Sequence, residues 1–325
     1  MVKSFVRPVI IVSQCLSFAR VRYNGEVIPN QFIEQLSSYV NFVPVCPEVA
    51  AGLGAPRDPV RLVQKKGETA PSLLQPATGV DATEAVKNFS WNFDVPSDPD
   101  GIILKGKSPT CGLTDAKVYA GSEQGAMVNE RGEGLFTKEI RHRFPEAVVE
   151  DDGRLRNFEL REHFLKQIFT NADLKERMST FQGEHVKQAI DQHWYLLNSC
   201  NPDLATELQK TYKNIQGLLD INRLNDIQQM LQACLSHKPT KSTFIHVFER
   251  MAHTVQQHLS QPEKQHFYDT LSRYENNKLP RYTLMEVIRM WAVRFQQHDL
   301  LKQSFFQPYP ESLVELNDSG KGRAL

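Results

Sequence analysis

From the N-terminus to about Leu155, short apolar β-branched runs alternate with Gly- and Pro-rich loops and amphipathic stretches. Apolar runs bounded by turn residues predict strands, and the stretches between them predict helices. Strands are expected at PVIIVS (8–13), FVPV (42–45), VRLVQ (60–64), GIILK (101–105) and AVVED (147–151), and helices near 29–39, 81–90, 113–126 and 133–143. This order predicts an α/β domain with a mostly parallel, Rossmann-like sheet. After EDDGRLRN the texture changes to long helical segments without strand signals; in the first of them Leu160, Phe164 and Ile168 recur at i, i+4, i+8 and give one apolar face. The chain thus reads as an α/β domain over residues 1–155 followed by an all-α domain over 156–325, with a frayed tail, NDSGKGRAL.

Composition supports two cores: 325 residues with 40% hydrophobic content exceed what one domain usually holds. Basic and acidic residues balance at 38 each, so no global field draws the chain to nucleic acid or membrane, and any such binding needs a local patch. No apolar run has the length of a membrane helix, and MVKSFVRPVIIVSQC is too short and lacks a cleavage site for a secretory signal. A cytoplasmic protein without membrane attachment is expected. The five cysteines form no CxxC pair, and disulfides are rare in that compartment, so reduced thiols or metal ligands are expected, with no disulfide partner.

Three cysteines take equivalent places on this outline. Cys15 follows the strand PVIIVS, Cys46 follows FVPV, and Cys111 follows GIILK in the loop KGKSPTCGLTD, where Pro109 stiffens the entry and Gly112 frees the exit. Ends of parallel strands share one sheet edge, so residues distant in sequence converge there. Three soft ligands, one short of a four-cysteine site, point to a metal centre with an open position; the plainer alternative is a small apolar residue at each strand end. Glu48, two residues past Cys46, is either a desolvated acid or base with a raised pKa or a charge at a helix start. Ser108 either donates a hydrogen bond at the site or caps the helix expected after it. Cys200 and Cys234 read as helix-packing thiols.

The blocks SQCL…RYNG (13–25), VCPEVAAGLGAPR (45–57) and KGKSPTCG (105–112) resemble the three signature blocks of the thiouracil desulfurase family. REHFLKQIF (161–169), IHVFERMAHTVQQHLSQPEKQ (245–265), YENNKLPRYTLMEVIR (274–289) and FFQPYPESL (305–313) resemble the YbgA-type helical domain. That fusion is similar to RudS-type desulfidases acting on 4-thiouridine in tRNA. The resemblance implies a 4Fe-4S cluster held by Cys15, Cys46 and Cys111, its fourth iron open to substrate sulfur. It also implies catalytic roles for Glu48 and Ser108, and a non-redox reaction giving uridine and sulfide. Ala51 and Thr110 depart from the usual pattern at positions without a carried-over role.

Arg22, Tyr23 and Arg57 lie inside the signature blocks and are expected to bind substrate. For tRNA, the candidate contacts are Lys65, Lys66, Arg141 and Arg143 in the first domain and Arg250, Arg273, Lys278 and Arg281 in the second, with Tyr274 and Tyr282 interleaved for stacking. Two other readings stand: a desulfurase of free thiouracil or other thiopyrimidine bases and nucleosides, and a non-catalytic iron–sulfur sensor or RNA-binding protein.

Overall fold

A computed structural model of the chain describes residues 4–121, 127–213, 215 and 217–314. It divides into two compact units, Arg7–Phe164 and Leu165–Ser312, the latter joined by the described residues 4–6. The division falls inside one long helix, Phe158–Met178.

The first unit runs β1 (Val9–Ser13), α1 (Gln31–Leu36), β2 (Asn41–Val45), α2 (Pro47–Ala50), β3 (Arg61–Val63), β4 (Ser72–Gln75), β5 (Val80–Asp81), α3 (Thr83–Asn92), β6 (Gly101–Leu104), β7 (Ala116–Tyr119), β8 (Met127–Gly132), α4 (Leu135–Arg143) and β9 (Val148–Asp151). One sheet has the order β2-β1-β6-β9 and is parallel throughout, in register from Ile10 opposite Phe42 on one side to Ile10 opposite Gly101 on the other. Ile10, Ile11 and Val12 of β1 and Ile102, Ile103 and Leu104 of β6 are fully buried, which is why these strands read as unbroken apolar runs.

A second sheet, β5-β4-β3-β7-β8, is antiparallel except where β3 meets β7. Its Leu62, Leu73, Ala116 and Val118 share one core with Ile11 and Ile102 of the first sheet and with Val86, Phe136 and Ile140 of α3 and α4. The expected parallel sheet thus holds for four strands, and the mainly antiparallel sheet beside it is a correction. So is the segment expected as a helix near 113–126: Ala116–Tyr119 is a strand in which Ala116 and Val118 are buried and Lys117 is exposed, while residues 122–126 lie outside the described residues. Pairing with β3 and β8 outweighed the helical reading of so short a stretch.

The second unit is helical, as expected. After α5 (Phe158–Met178) come α6 (Gly183–Gln192), α7 (Trp194–Cys200), α8 (Pro202–Tyr212), α9 (Ile221–Leu235), α10 (Lys241–Val255), α11 (Gln261–Glu275), α12 (Arg281–Arg294) and α13 (His298–Leu301). Their starts are chemically marked: Asn201 accepts from the N–H groups of Asp203 and Leu204 ahead of Pro202, and Ser260 and Glu263 form a capping box at α11. Helices α6 to α9 enclose one core around Ile190, Leu208 and Leu231, and α10 to α12 another around Phe248, Ile288 and Trp291. No described helix is long and apolar enough to cross a membrane. The tail expected to fray, 317–325, lies outside the described residues.

Candidate active site

Because β2, β1 and β6 are adjacent and parallel, their C-terminal ends open on one edge. A cavity of ≈410 Å³ lies there, within the size range of small-ligand pockets, and Cys15, Cys46 and Cys111 all line it. Cys200 and Cys234 are instead buried in the helical unit's core, where the Cys234 thiol donates to the Leu197 carbonyl at 3.3 Å.

Each thiol is set by a different local device. Cys15 follows β1 in a turn where the Leu16 N–H donates to Ser13 O and the Ile28 N–H donates to Cys15 O. Cys46 is the N-cap residue of the single-turn helix α2, with extended backbone and Pro47 as the first helical residue. Cys111 sits on a loop docked against the start of α4: the N–H groups of Leu135 and Phe136 donate to the carbonyls of Pro109 and Thr110, and Gly134 N–H donates to Gly112 O. Two glycines permit that approach. A Cβ on Gly134 would meet Thr110 O at 2.4 Å, and one on Gly112 would meet Ser108 O at 2.7 Å.

Ser108 Oγ accepts from the N–H groups of Thr110 and Cys111 at 3.2 and 3.0 Å. The next described element is the strand β7, not a helix, so the alternative of a helix cap gives way to a cap on the cysteine turn itself. Its hydroxyl proton is left for a further acceptor at the cavity it lines.

Glu48 is 7% exposed and lies in the first turn of α2. Its Oε2 accepts from the Cys46 thiol at 3.4 Å, and its Oε1 is 3.7 Å from the Arg57 guanidinium. Arg57 donates through one nitrogen to Val21 O at 2.8 Å and Gly54 O at 2.9 Å, while its buried Nε has no hydrogen-bond partner. Burial, then the Glu48 charge, pushes the Cys15 thiol up to about 11 and the Cys46 thiol up to about 12. The same two causes raise Cys111 well above its ordinary value, with Cys15 and Cys46 adding to the effect and Ser13 opposing it. Loading the three thiols with a metal group would displace their protons.

Arg22, Tyr23 and Arg57 also line the cavity; Tyr23 is 46% exposed and the Arg22 guanidinium lies over its ring at 5.5 Å. Sequence reasoning left Ser13, Lys105 and Lys107 without roles, although all three line the cavity. Ser13 Oγ accepts the Lys105 N–H at 2.9 Å, and Lys105 Nζ reaches both oxygens of buried Asp152 at 3.0 Å. The signal was the pair of lysines flanking Gly106 inside KGKSPTCG.

The eight residues expected to meet tRNA lie outside this cavity. Lys65, Lys66, Arg250, Arg273 and Lys278 are exposed, and Arg141 pairs with Glu133 at 2.9 Å. Arg143 donates to Ser90 O and Phe93 O, each at 3.0 Å, so its guanidinium closes the end of α3. Arg281 lies over the rings of Phe244 and Tyr282. Tyr274, expected as a stacking surface, is instead buried in the helical core, with its ring edge-on to Phe248.

Comparison with known proteins agrees with this geometry. The family described as 2-thiouracil desulfurase matches residues 10–152, which include every cavity residue named above. YbbK of Bacillus subtilis (strain 168), described as an uncharacterized protein, is 30% identical over 131 residues, covering 38% of this chain and 84% of the relative. The chain belongs to the 2-thiouracil desulfurase family. The desulfurase region is followed by a match over residues 195–310 to a family of unknown function, DUF1722. The structure of the 4Fe-4S-dependent thiouracil desulfidase TudS is also similar, at 27% identity and a TM-score of 0.37, covering 46% of this chain and 93% of that one. Family membership makes sulfur removal from a thiouracil ring the chemistry to be explained at the desulfurase cavity.

Proposed function

We propose that the protein hydrolytically removes sulfur from 4-thiouridine in tRNA, in the cytoplasm, using a 4Fe-4S cluster held by Cys15, Cys46 and Cys111. The observation that carries this reading is the meeting of those cysteines with Glu48 and Arg57 at one cavity. The donor set suits such a cluster: three soft sulfurs from three chain segments, with the other two cysteines in the helical unit's core, leave one iron without a thiolate. Among the described residues no three His, Cys, Asp or Glu side chains are grouped to hold a single metal ion. A cluster asks something different of its cysteines, one thiolate for each of three irons.

Held by Cys15, Cys46 and Cys111, the cluster would supply a soft Lewis-acid iron with affinity for thiocarbonyl sulfur, which would make the C4 carbon more electrophilic. Glu48, held between Cys46 and Arg57, takes a proton from water as the water oxygen bonds to C4, and returns it to sulfur as the C–S bond breaks. Water contributes one oxygen and two hydrogens, the products are uridine and hydrogen sulfide, and no electrons are transferred. Ser108 donates its hydroxyl proton toward the substrate, since its oxygen already accepts two backbone N–H groups. Tyr23 offers an exposed ring face for the base, and Arg22 and Arg57 present donors around it. Of the eight expected contacts, exposed Lys65, Lys66, Arg273 and Lys278 are offered to RNA phosphates, whereas Arg250 is engaged by Asn198 Oδ1 at 3.3 Å and lies over the Trp194 ring.

A second reading, free thiouracil as substrate, is favoured by the cavity volume of ≈410 Å³, which suffices for a base alone. One experiment separates the two. Protein reconstituted anaerobically with iron and sulfide is given tRNA containing 4-thiouridine, and near-ultraviolet absorbance and released sulfide are followed, with Cys111→Ala as control. Loss of absorbance with sulfide release, only when Cys111 is present, supports the tRNA reading. Turnover of free thiouracil with tRNA untouched transfers support to the second.

A further inference from the structure

The sheet order β2-β1-β6-β9 sets four chain ends side by side at one edge: Cys46 and Glu48 after β2, Ser13 and Cys15 at the end of β1, Lys105 after β6 and Asp152 after β9. An ion pair stands at each end of this row. On the β2 side it is Glu48 with Arg57, and the carboxylate accepts from the Cys46 thiol. On the β9 side it is Asp152 with Lys105, and of these two only the lysine lines the cavity.

Asp152 is 5% exposed and is fixed in three ways. Its N–H donates to Leu104 O at 3.0 Å, its Oδ1 accepts the Gly106 N–H at 2.8 Å, and both its oxygens accept from Lys105 Nζ at 3.0 Å. Lys105 is also held at its backbone, where its N–H donates to Ser13 Oγ. Two of the three ammonium protons go to Asp152, which leaves the third for the cavity. Such a pair adds little to stability, because desolvation of the two charges offsets their attraction. What it does supply is placement, since it removes the rotamer freedom that a lysine side chain otherwise keeps.

Sulfur that leaves a pyrimidine carbon takes the bonding electron pair with it and carries negative charge until a proton arrives. A cation placed beforehand stabilises that charge without reorganising. We propose that Asp152 is a positioning residue of the desulfurase site, holding the Lys105 ammonium so that it donates a hydrogen bond to the departing sulfur. Lys105 keeps its proton throughout: the proton that ends on sulfur comes from water by way of Glu48, so the products and the electron count are unchanged. The proposal rests on the desulfuration reading and gives that reaction a second charged group, on the opposite flank from Glu48.

Three variants of the full-length, cluster-loaded protein test it: Lys105→Met, Asp152→Asn, which keeps an acceptor for the Gly106 N–H, and the two combined. Iron per protein stays unchanged. The single-turnover rate, on tRNA containing 4-thiouridine or on free thiouracil, whichever the natural protein consumes, falls about tenfold in each single variant, the loss of one charge-assisted hydrogen bond. The double variant is no slower than Lys105→Met, because Asp152 acts through the lysine. Hydrosulfide, titrated against the loaded proteins and followed by the visible absorbance of the cluster, binds about tenfold more weakly to all three. An unchanged rate or an unchanged hydrosulfide affinity in Lys105→Met overturns the proposal, and so do losses that multiply in the double variant. Iron loss confined to Asp152→Asn gives Asp152 a structural role in the Gly106 loop and likewise overturns it. If the natural protein consumes neither substrate, it is the desulfuration reading that fails, and the hydrosulfide titration alone then decides whether Asp152 and Lys105 serve a sulfur anion.

Discussion

The Cys46 thiol donates to Glu48 Oε2 at 3.4 Å across the first turn of α2, while the Arg57 guanidinium stands 3.7 Å from the other carboxylate oxygen. This places the one carboxylate of the cavity between a thiol and a buried cation. The same guanidinium reaches Val21 O and Gly54 O, so Arg57 ties the turn after β1 and the loop after α2 to Glu48. An arginine read from sequence as a substrate contact is also part of the frame of the site.

Arg57→Ala leaves Glu48 buried without its cation and two carbonyls without a donor. The expected loss is about 3 kcal/mol, the lower end for breaking a buried pair, with Arg57→Lys losing less because the charge stays. Denaturant unfolding of the metal-free protein measures both; a loss below about 0.5 kcal/mol for the alanine variant rejects the structural role.

Cys15→Ala, Cys46→Ala and Cys111→Ala are each expected to bind markedly less iron on anaerobic reconstitution. Cys200→Ala and Cys234→Ala keep the iron, because those thiols belong to the helical core. Cys234→Ala instead costs about 1 kcal/mol of stability through lost packing and the lost bond to Leu197 O. Iron per protein and thermal unfolding distinguish the two classes.

Gly134→Ala drives a Cβ against Thr110 O, at 2.4 Å before relaxation. The loop bearing Cys111 must move away from α4, at about 2 kcal/mol, within the usual cost of overpacking. Reduced iron retention in Gly134→Ala with an intact helical circular-dichroism signal is the expected result. Full retention would show that the loop is not held by this approach.

In the helical unit, His193 bridges Asp173 Oδ2 at 2.9 Å and Ser304 Oγ at 2.7 Å. Burial raises the Asp173 carboxyl, but the hydrogen bond and charge of His193, followed by Arg177, outweigh it and leave the pKa lowered. A lowered acid stabilises the fold above its unfolded pKa of about 3.9, and that contribution fades as pH falls through the lower folded value. Asp173→Asn is therefore less stable at neutral pH by about 1 kcal/mol, and its stability converges with that of the natural protein below about pH 4. Thermal unfolding across pH measures the convergence; parallel curves contradict the assignment.

The strands that build the site were legible in the sequence because β1 and β6 are buried on both faces, leaving unbroken apolar runs such as PVIIVS and GIILK. Their parallel order followed from the intervening helices, and with it the meeting of Cys15, Cys46 and Cys111 at one edge. Of the second sheet only β3 was legible, as VRLVQ (60–64). Its strands are short, and β3 pairs with β7 through Leu62 opposite Val118, a partner remote in sequence that no local pattern reveals. The same distance hid Asp152 from Lys105, the α3 carbonyls from Arg143 and the buried side of Tyr274. Sequence determined which residues carry the chemistry and where the chain turns to present them; tertiary structure decided which of the cavity's cations are committed to carboxylates, because partners from distant segments set the charge of a side chain's surroundings.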